Sequence, residues 1–441
     1  MDKKEKTGVL NVRDLVNVGL FSVLIFIATF LSGMIGFIPV LMPVVPFVYG
    51  IVSGPVYMLY FTKIKKAGML FIQTIVVTLA FVATGHGPWV LLTAVIGGLL
   101  GEVVLRNGRY KSVKHARLAF SVQSIYGLGN WLPIYFARDA YIRQMLDMGY
   151  GEEYTQKMMS VLPNWTLPLI VILGMLGAYI GCTIGIRMLK KHFVKQAWQR
   201  RYSVHSEKFK LDFRTKMLMS LCLSYTLILG NIQTKFSIVA AAYSLLPYVF
   251  LLLNREKKAA VKGILFIMAA YIIQKEWVFS AGGFLGSLFL FITMMFLRLL
   301  PGFVMARFAL ASSTMSHMTS ALKKMHFPVV LIIPITVMAR FFHTAREDYN
   351  QVKDAMYLHG LTNRRLFFHP VKLFEYRMVP LFMVLTKTAD DVAVSAMTRG
   401  LKIHGKRTYI GESRFCMRDY ICFLLMLVLI GFYIGGKYVC V

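Results

Sequence analysis

Residues 15–31 read LVNVGLFSVLIFIATFL, an apolar run with one amide and no charge that is long enough to cross a bilayer as a helix. Lys3, Lys4, Lys6 and Arg13 precede it and no A-x-A cleavage pattern follows, so an anchored first helix is expected rather than a removable signal peptide. Runs of similar length follow at roughly 39–61, 67–84, 88–105, 116–136 and 166–189, which makes six expected spans in the first 190 residues. The composition agrees. Of 441 residues 57% are hydrophobic and 16% charged, with a mean hydropathy of +0.60, whereas soluble domains carry about a quarter charged residues. A soluble enzyme is excluded, and so is disorder, which needs the opposite composition. Cys182, Cys222, Cys416, Cys422 and Cys440 show no CxxC spacing and no accompanying histidines, so neither a metal site nor a disulfide framework is indicated.

Charge placement gives the expected orientation. Lys63, Lys65 and Lys66 fall between spans two and three, and Arg106, Arg109, Lys111, Lys114 and Arg117 between spans four and five; both connections belong inside, as does the N-terminus. The connections 32–38 and 84–87 hold no Lys or Arg, and the longest, about 137–165, mixes charges; these belong outside. After Lys190 the sequence turns polar and basic as far as Lys216. Three parts are therefore expected: a six-helix domain over 1–195, a basic cytoplasmic linker over 196–210, and a second membrane domain over 211–441 with spans near 217–233, 236–253, 260–274, 279–298 and 420–437. The fold class is an all-α integral membrane protein.

Between Leu299 and Asp419 the chain is too apolar for a linker and too often charged to span, as amphipathic helices on a membrane surface or a partner would be. Two pieces look alike. Thr344 with Glu347 makes a capping-box start, and Gly360 a stop after His359; Thr388 with Asp391 makes a second start, and Gly400 a stop after Arg399. A cation at such an end complements the helix dipole, worth about 0.3–1 kcal/mol. The sharper alternative has Arg399 reaching into an acidic groove on a cytosolic partner, where a guanidinium bonds a carboxylate in bidentate fashion.

Leu211 to Lys216 (LDFRTK), Ala321 to Pro328 (ALKKMHFP), Arg340 to Phe342 (RFF) and Ala389 to Ala393 (ADDVA), leading to Thr398-Arg399-Gly400, resemble the transmembrane T component of energy-coupling factor (ECF) ABC transporters over roughly 205–437. The resemblance implies coupling helices at about 300–418 whose two x-Arg-Gly motifs dock a pair of ATP-binding subunits. Arg399 and Gly400 match the second motif. Leu358-His359-Gly360 stands where the first would be, with Arg364 and Arg365 as possible substitutes for the missing guanidinium. Residues 1–195 are similar in length, topology and charge layout to the substrate-binding S components, particularly the MptD-like, Trep/Strep group. Ala28, Ser32 and Gly36 recur every four residues, a spacing that lets helices approach closely. The resemblance gives that face of the first helix the contact with the T component. Gly177, Gly181 and Gly185 repeat the spacing on the sixth span, where ordinary bundle packing serves as well.

An outer-facing site for a small micronutrient is expected from His86, Trp89, Gln123, Tyr126, Asn130, Trp131, Asn164 and Trp165. Trp89 and Trp165 also suit an interfacial belt. Gln123 and Asn130 need partners within a span, from a helix or from a ligand. Glu102, near the inner end of the fourth span, is expected to pair with a neighbouring Arg or to cap a structural network rather than to contact substrate. No phosphate-cradling GxxxxGK[ST] and no catalytic constellation is evident, so the chain itself is expected to be no enzyme and to bind no cofactor or metal. The expected partners are two ATP-binding cassette subunits holding ATP and Mg, the lipid bilayer and a small molecule, with no nucleic acid; the expected location is a bacterial plasma membrane. A secondary active transporter of about twelve spans is the alternative, although two similar halves with broken helices are not seen. A membrane-embedded enzyme on lipid-linked substrates is a third class.

Overall fold

The computed structural model describes residues 10–84, 86–87, 89–147, 152–191, 211–229, 237–254, 256–277, 284–358, 370–398, 400 and 415–438. The expected linker at 196–210 lies outside them, as do His359, Gly360, Arg364, Arg365 and Arg399.

Among the described residues every regular element is a helix. The first half holds α1 (Val12–Gly33), α2 (Val45–Lys63), α3 (Met69–Ala83), α4 (Trp89–Asn107), α5 (Val113–Gln123), α6 (Leu132–Phe136), α7 (Arg138–Asp147), α8 (Glu152–Val161) and α9 (Thr166–Lys191). The second holds α10 (Phe213–Leu229), α11 (Ser237–Leu253), α12 (Lys257–Trp277), α13 (Phe284–Ser312), α14 (Met315–Lys324), α15 (Val329–Leu358), α16 (Pro370–Thr398) and α17 (Met417–Tyr438). Six helices are long and apolar enough to cross a membrane among the described residues: Val12–Gly36, Pro39–Lys63, Trp89–Asn107, Thr166–Met188, Met295–Ser312 and Met417–Ile434. Met69–Ala83, Val239–Leu253 and Val329–Ala339 are shorter apolar helices. Rows of exposed apolar side chains, such as Leu92, Ile96, Leu99 and Val103 on α4 and Ile421, Leu424 and Val428 on α17, are what an integral membrane protein turns toward lipid.

Local chemistry explains the ends. Asn11 and Asp14 form a capping box at the start of α1, the Asn11 N–H donating to Asp14 Oδ2 at 2.7 Å. The span expected at 116–136 is broken: α5 stops at Gln123, a 3-10 segment runs from Ser124 to Asn130, and α6 resumes at Leu132. Gly129 there lies so close to Val90 that a Cβ would meet its backbone. The outer connection 137–165 is built, with α7 and α8 packed over Trp131, Met145, Tyr154 and Met158. Gly177, Gly181 and Gly185 bring the α9 backbone directly against α2 at Phe47, Gly50, Ile51 and Pro55, which is packing inside the first half.

The 299–419 region corrects the reading of short coupling helices. α13 continues to Ser312, and α15 and α16 are continuous helices of 30 and 29 residues. Thr344 lies within α15, and Thr388 within α16, where its hydroxyl donates to the Val384 carbonyl at 2.8 Å. A capping box marks a start only where the chain upstream leaves the helix. Here Ile333 and Met338 of α15, and Leu381, Phe382 and Leu385 of α16, are buried in the core, so both helices extend back through them. The Gly400 reading holds locally: α16 ends at Thr398 and Gly400 adopts φ +80°, the left-handed conformation that glycine takes without strain.

Candidate functional site

The arrangement with most functional content is the junction of the halves around α1. This helix lies against α2 and α3 of its own half and α15 and α16 of the other. One continuous core results, joining Leu15, Leu20, Phe21 and Ile25 to Ile333, Phe341, Leu385, Ala389 and Ala393. Ala389 and Ala393 are fully buried, and their small side chains let α16 settle close to its neighbours. At Gly19 the approach is closest. A Cβ there would fall 2.5 Å from the Pro334 carbonyl oxygen and 2.9 Å from the Val337 Cβ. Farther along, Phe30 stacks on Phe303 of α13 at 5.7 Å between centroids.

An ionic node closes one end of the junction. Asp390 Oδ1 accepts from Arg13 Nε at 3.2 Å and Nη2 at 2.9 Å, and its Oδ2 accepts from Lys63 Nζ at 3.3 Å. Beside it Lys66 pairs with Asp14 at 2.8 Å. Arg13 is half exposed, so each such pair contributes at most about 1 kcal/mol. The apolar core supplies the cohesion, and the charges fix register.

Of the expected packing face, Ala28 and Ser32 are buried on α1, the Ser32 hydroxyl turning back to the Ala28 carbonyl at 2.8 Å. Gly36 lies beyond the end of α1 in a 3-10 turn, where a Cβ would meet Val45 of its own half at 3.3 Å. Gly19 escaped the reading because no small residue stands four positions away. Its signal was a single glycine inside an otherwise unbroken apolar helix, where it costs about 1 kcal/mol relative to alanine unless packing requires it.

The eight expected ligand residues divide. Tyr126 belongs to a buried hydroxyl cluster: its Oη lies 2.9 Å from Tyr49 Oη and 3.4 Å from Thr29 Oγ1, and its carbonyl accepts from Thr93 Oγ1 at 2.7 Å. Gln123, nearly one turn earlier, faces α3 instead, donating to Gln73 Oε1 at 2.9 Å and Thr74 Oγ1 at 2.6 Å. Gln73 Nε2 and Gln123 Oε1 are buried without a partner, an NH2 group and an acceptor oxygen that a water or a ligand amide could use. Gln73 and Thr74 were missed at the sequence level, because α3 reads as an uninterrupted apolar run in which they look like dilution.

The other candidates do not converge on that cluster. Trp131 is buried under α7 and α8. Asn164 is exposed and accepts from Arg138 Nη1 at 3.2 Å, while the same guanidinium holds the Leu162 and Met159 carbonyls at 2.7 Å. Asn130 is exposed, and so are Trp89 at 52% and Trp165 at 66%, as belt residues are. His86, in the connection between α3 and α4, stands edge-on to the Phe81 ring with Nδ1 3.1 Å from the Phe81 carbonyl oxygen. Burial there holds its imidazole down to about 4 from 6.5. Glu102 organises structure: its carboxylate accepts from the Gly68, Leu70 and Phe71 N–H groups at 2.6, 3.1 and 3.3 Å, capping α3, and from the Tyr110 hydroxyl at 2.9 Å.

Residues 12–195, under half of the chain, match the model of a family described as a hypothetical bacterial integral membrane protein, Trep_Strep. No curated protein and no solved structure matches the chain.

Proposed function

We propose that the chain is the membrane subunit of an ECF-type ABC importer in which substrate capture and energy coupling are fused. The first half would take a small micronutrient from outside, and the second would couple it to two separate ATP-binding cassette subunits that hold and hydrolyse ATP with Mg. The observation that carries this reading is the enclosure of α1 by α15 and α16. A capture module driven by a coupling module needs a shared contact along which motion passes. Here the first helix of one half is built into the core of the other, and Asp390 ties the node of Arg13 and Lys63 to the helix that ends at Thr398, just before Arg399 and Gly400.

Mechanistically, closure of the ATPase pair would pull on the segments at His359 and Gly360 and at Arg399 and Gly400, with Arg364 and Arg365 nearby. α15 and α16 would carry the displacement to α1. The hydroxyl cluster of Tyr126, Tyr49 and Thr29 and the amides of Gln123 and Gln73 are the polar groups in the first half that a bound ligand would rearrange. The N-terminus would lie in the cytoplasm, beside the basic connections.

The test is expression of the chain with its neighbouring genes and tagged purification in mild detergent, comparing wild type with Arg399→Glu and His359→Glu. Two ATP-binding subunits should accompany the wild type and be lost with Arg399→Glu. If no ATPase associates under any condition, the proposal fails and secondary active transport becomes the reading to pursue.

A further inference from the structure

The connection between α6 and α9 reaches the second half, and the transport reading gives it no role. α7 and α8 are ten residues each, too short to stay helical in water without support. Their support is a core of Leu128, Trp131, Met145, Tyr154, Met158 and Leu162. Ile292 and Met295 of α13 pack on that core from the second half, where α8 meets α13. Met42 and Val45, at the start of α2, pack on it as well. Lys63 of the ionic node stands at the other end of α2, so this contact and the node join the halves at opposite ends of that helix. The neck of the connection is pinned. Thr166 Oγ1 donates to the Pro163 carbonyl at 2.6 Å, so its 2.7 Å bond with Tyr135 is donated by the tyrosine. The Arg138 guanidinium, on the Met159 and Leu162 carbonyls, sits at the last turn of α8, where unpaired carbonyls and the helix dipole favour a cation. The start of α7 is thereby tied to the end of α8, and the two can swing as one body about a closed neck.

We propose that α7 and α8 form a lid over the polar cluster of the first half, and that α13 of the second half is the latch that holds the lid shut. Ile125 and Leu128, which pack under the lid, flank Tyr126 in the 3-10 segment, so lifting the lid uncovers the way to the Tyr126, Tyr49 and Thr29 hydroxyls. The contact is built to release. Met42, Met145, Met158, Met159 and Met295 all belong to it, and methionine repacks easily where a surface changes shape. At the α1 junction, by contrast, Gly19 fits directly against the Pro334 backbone and leaves no room to slip. A permanent plug would sit on the first half alone and need nothing from α13. That helix also carries Phe303 against Phe30 of α1, so a displacement of α13 would reach the lid and the junction together. What passes under the lid rests on the capture role proposed above; the latch itself is read without substrate or ATPase.

The test is amide hydrogen exchange, read by mass spectrometry on the full-length chain in mild detergent. In the wild type α8 should exchange slowly. Ile292→Ala with Met295→Ala removes the latch and should speed exchange over 152–161 at least roughly tenfold, because a short helix released from its support frays. Val304→Ala, on the same helix but packed in the second half's own core, is the control and should leave α8 unchanged. A second measurement follows the lid directly. With the five native cysteines changed to alanine, the thiol of Leu128→Cys, buried beneath the lid, should react with a water-soluble maleimide at least roughly tenfold faster when Ile292→Ala and Met295→Ala are added. Unchanged rates in the double variant overturn the latch and leave a static plug, and fast α8 exchange in the wild type overturns it too. Faster α8 exchange with no gain in Leu128→Cys reactivity overturns the lid. Equal acceleration by Val304→Ala also overturns the latch, by making the effect a general loosening of α13. Loss of the ATPase partners from the reading of function would leave each of these outcomes as it stands.

Discussion

Arg13 at the start of α1 donates to Asp390 near the end of α16 at 2.9 Å, across 377 positions of sequence. Lys63 joins the same carboxylate at 3.3 Å, so one side chain of the second half gathers two helices of the first. A chain with a formal charge of +30 has cations to spare and few carboxylates, which makes Asp390 the informative member of the trio. Asp390→Lys should lower thermal stability only modestly, by about 1–2 kcal/mol for two partly exposed pairs and the new repulsion. If the chain is the importer subunit proposed above, substrate uptake should fall further than stability does. Reversal of both cations, Arg13→Glu with Lys63→Glu, should restore uptake on the Asp390→Lys background. No rescue would show that the node has no role in coupling the halves.

Gly19 tests the contact between α1 and α15. Gly19→Leu would drive a side chain into the Pro334 backbone and should cost about 1–3 kcal/mol by overpacking. Gly33→Leu, with open space at its Cβ, should be nearly neutral. Melting in detergent, followed by intrinsic fluorescence, separates the two; equal melting points would mean that the halves do not meet as described.

The paired amides predict a non-additive series. Gln123→Leu removes the partner of the Gln73 carbonyl oxygen and leaves a buried amide wholly unmatched, at about 1–3 kcal/mol. Gln73→Leu with Gln123→Leu removes both and should recover most of that loss. If the amides hold the substrate, the double variant should be stable yet unable to bind it, a split that equilibrium binding on purified protein would reveal.

His86 gives the pH dependence its sign. Its folded value of about 4 lies below the ordinary 6.5, so the unfolded state binds the proton first. Stability is unaffected above pH 6.5 and falls as the pH drops from there toward 4. His86→Gln should melt less steeply with acidification than wild type over that interval; identical pH profiles would mean that the imidazole is solvated.

Much of the first half was legible because lipid imposes a length and an apolar composition on each span, so the ends of α1, α2, α4 and α9 lie near the expected breaks. Glu102 was open between a pair with a neighbouring Arg and a capping network, and its carboxylate caps the start of α3. The misreadings came where a local signal competed with a distant one. Thr344 and Thr388 carry capping patterns, yet their helices continue through them, because apolar residues upstream bury against α1. Gln123 was open between a ligand and another helix, and its partners on α3 are fifty positions away.

By itself the sequence determined that this is an all-helical membrane protein, since hydropathy and charge act residue by residue and need no partner to be read. Only the tertiary structure decided what α1 touches. An apolar helix face looks the same whether it meets lipid, its own bundle or another half, and its neighbour is selected by shape: the missing side chain at Gly19, the small Ala389 and Ala393, and a carboxylate at Asp390 within reach of Arg13 and Lys63.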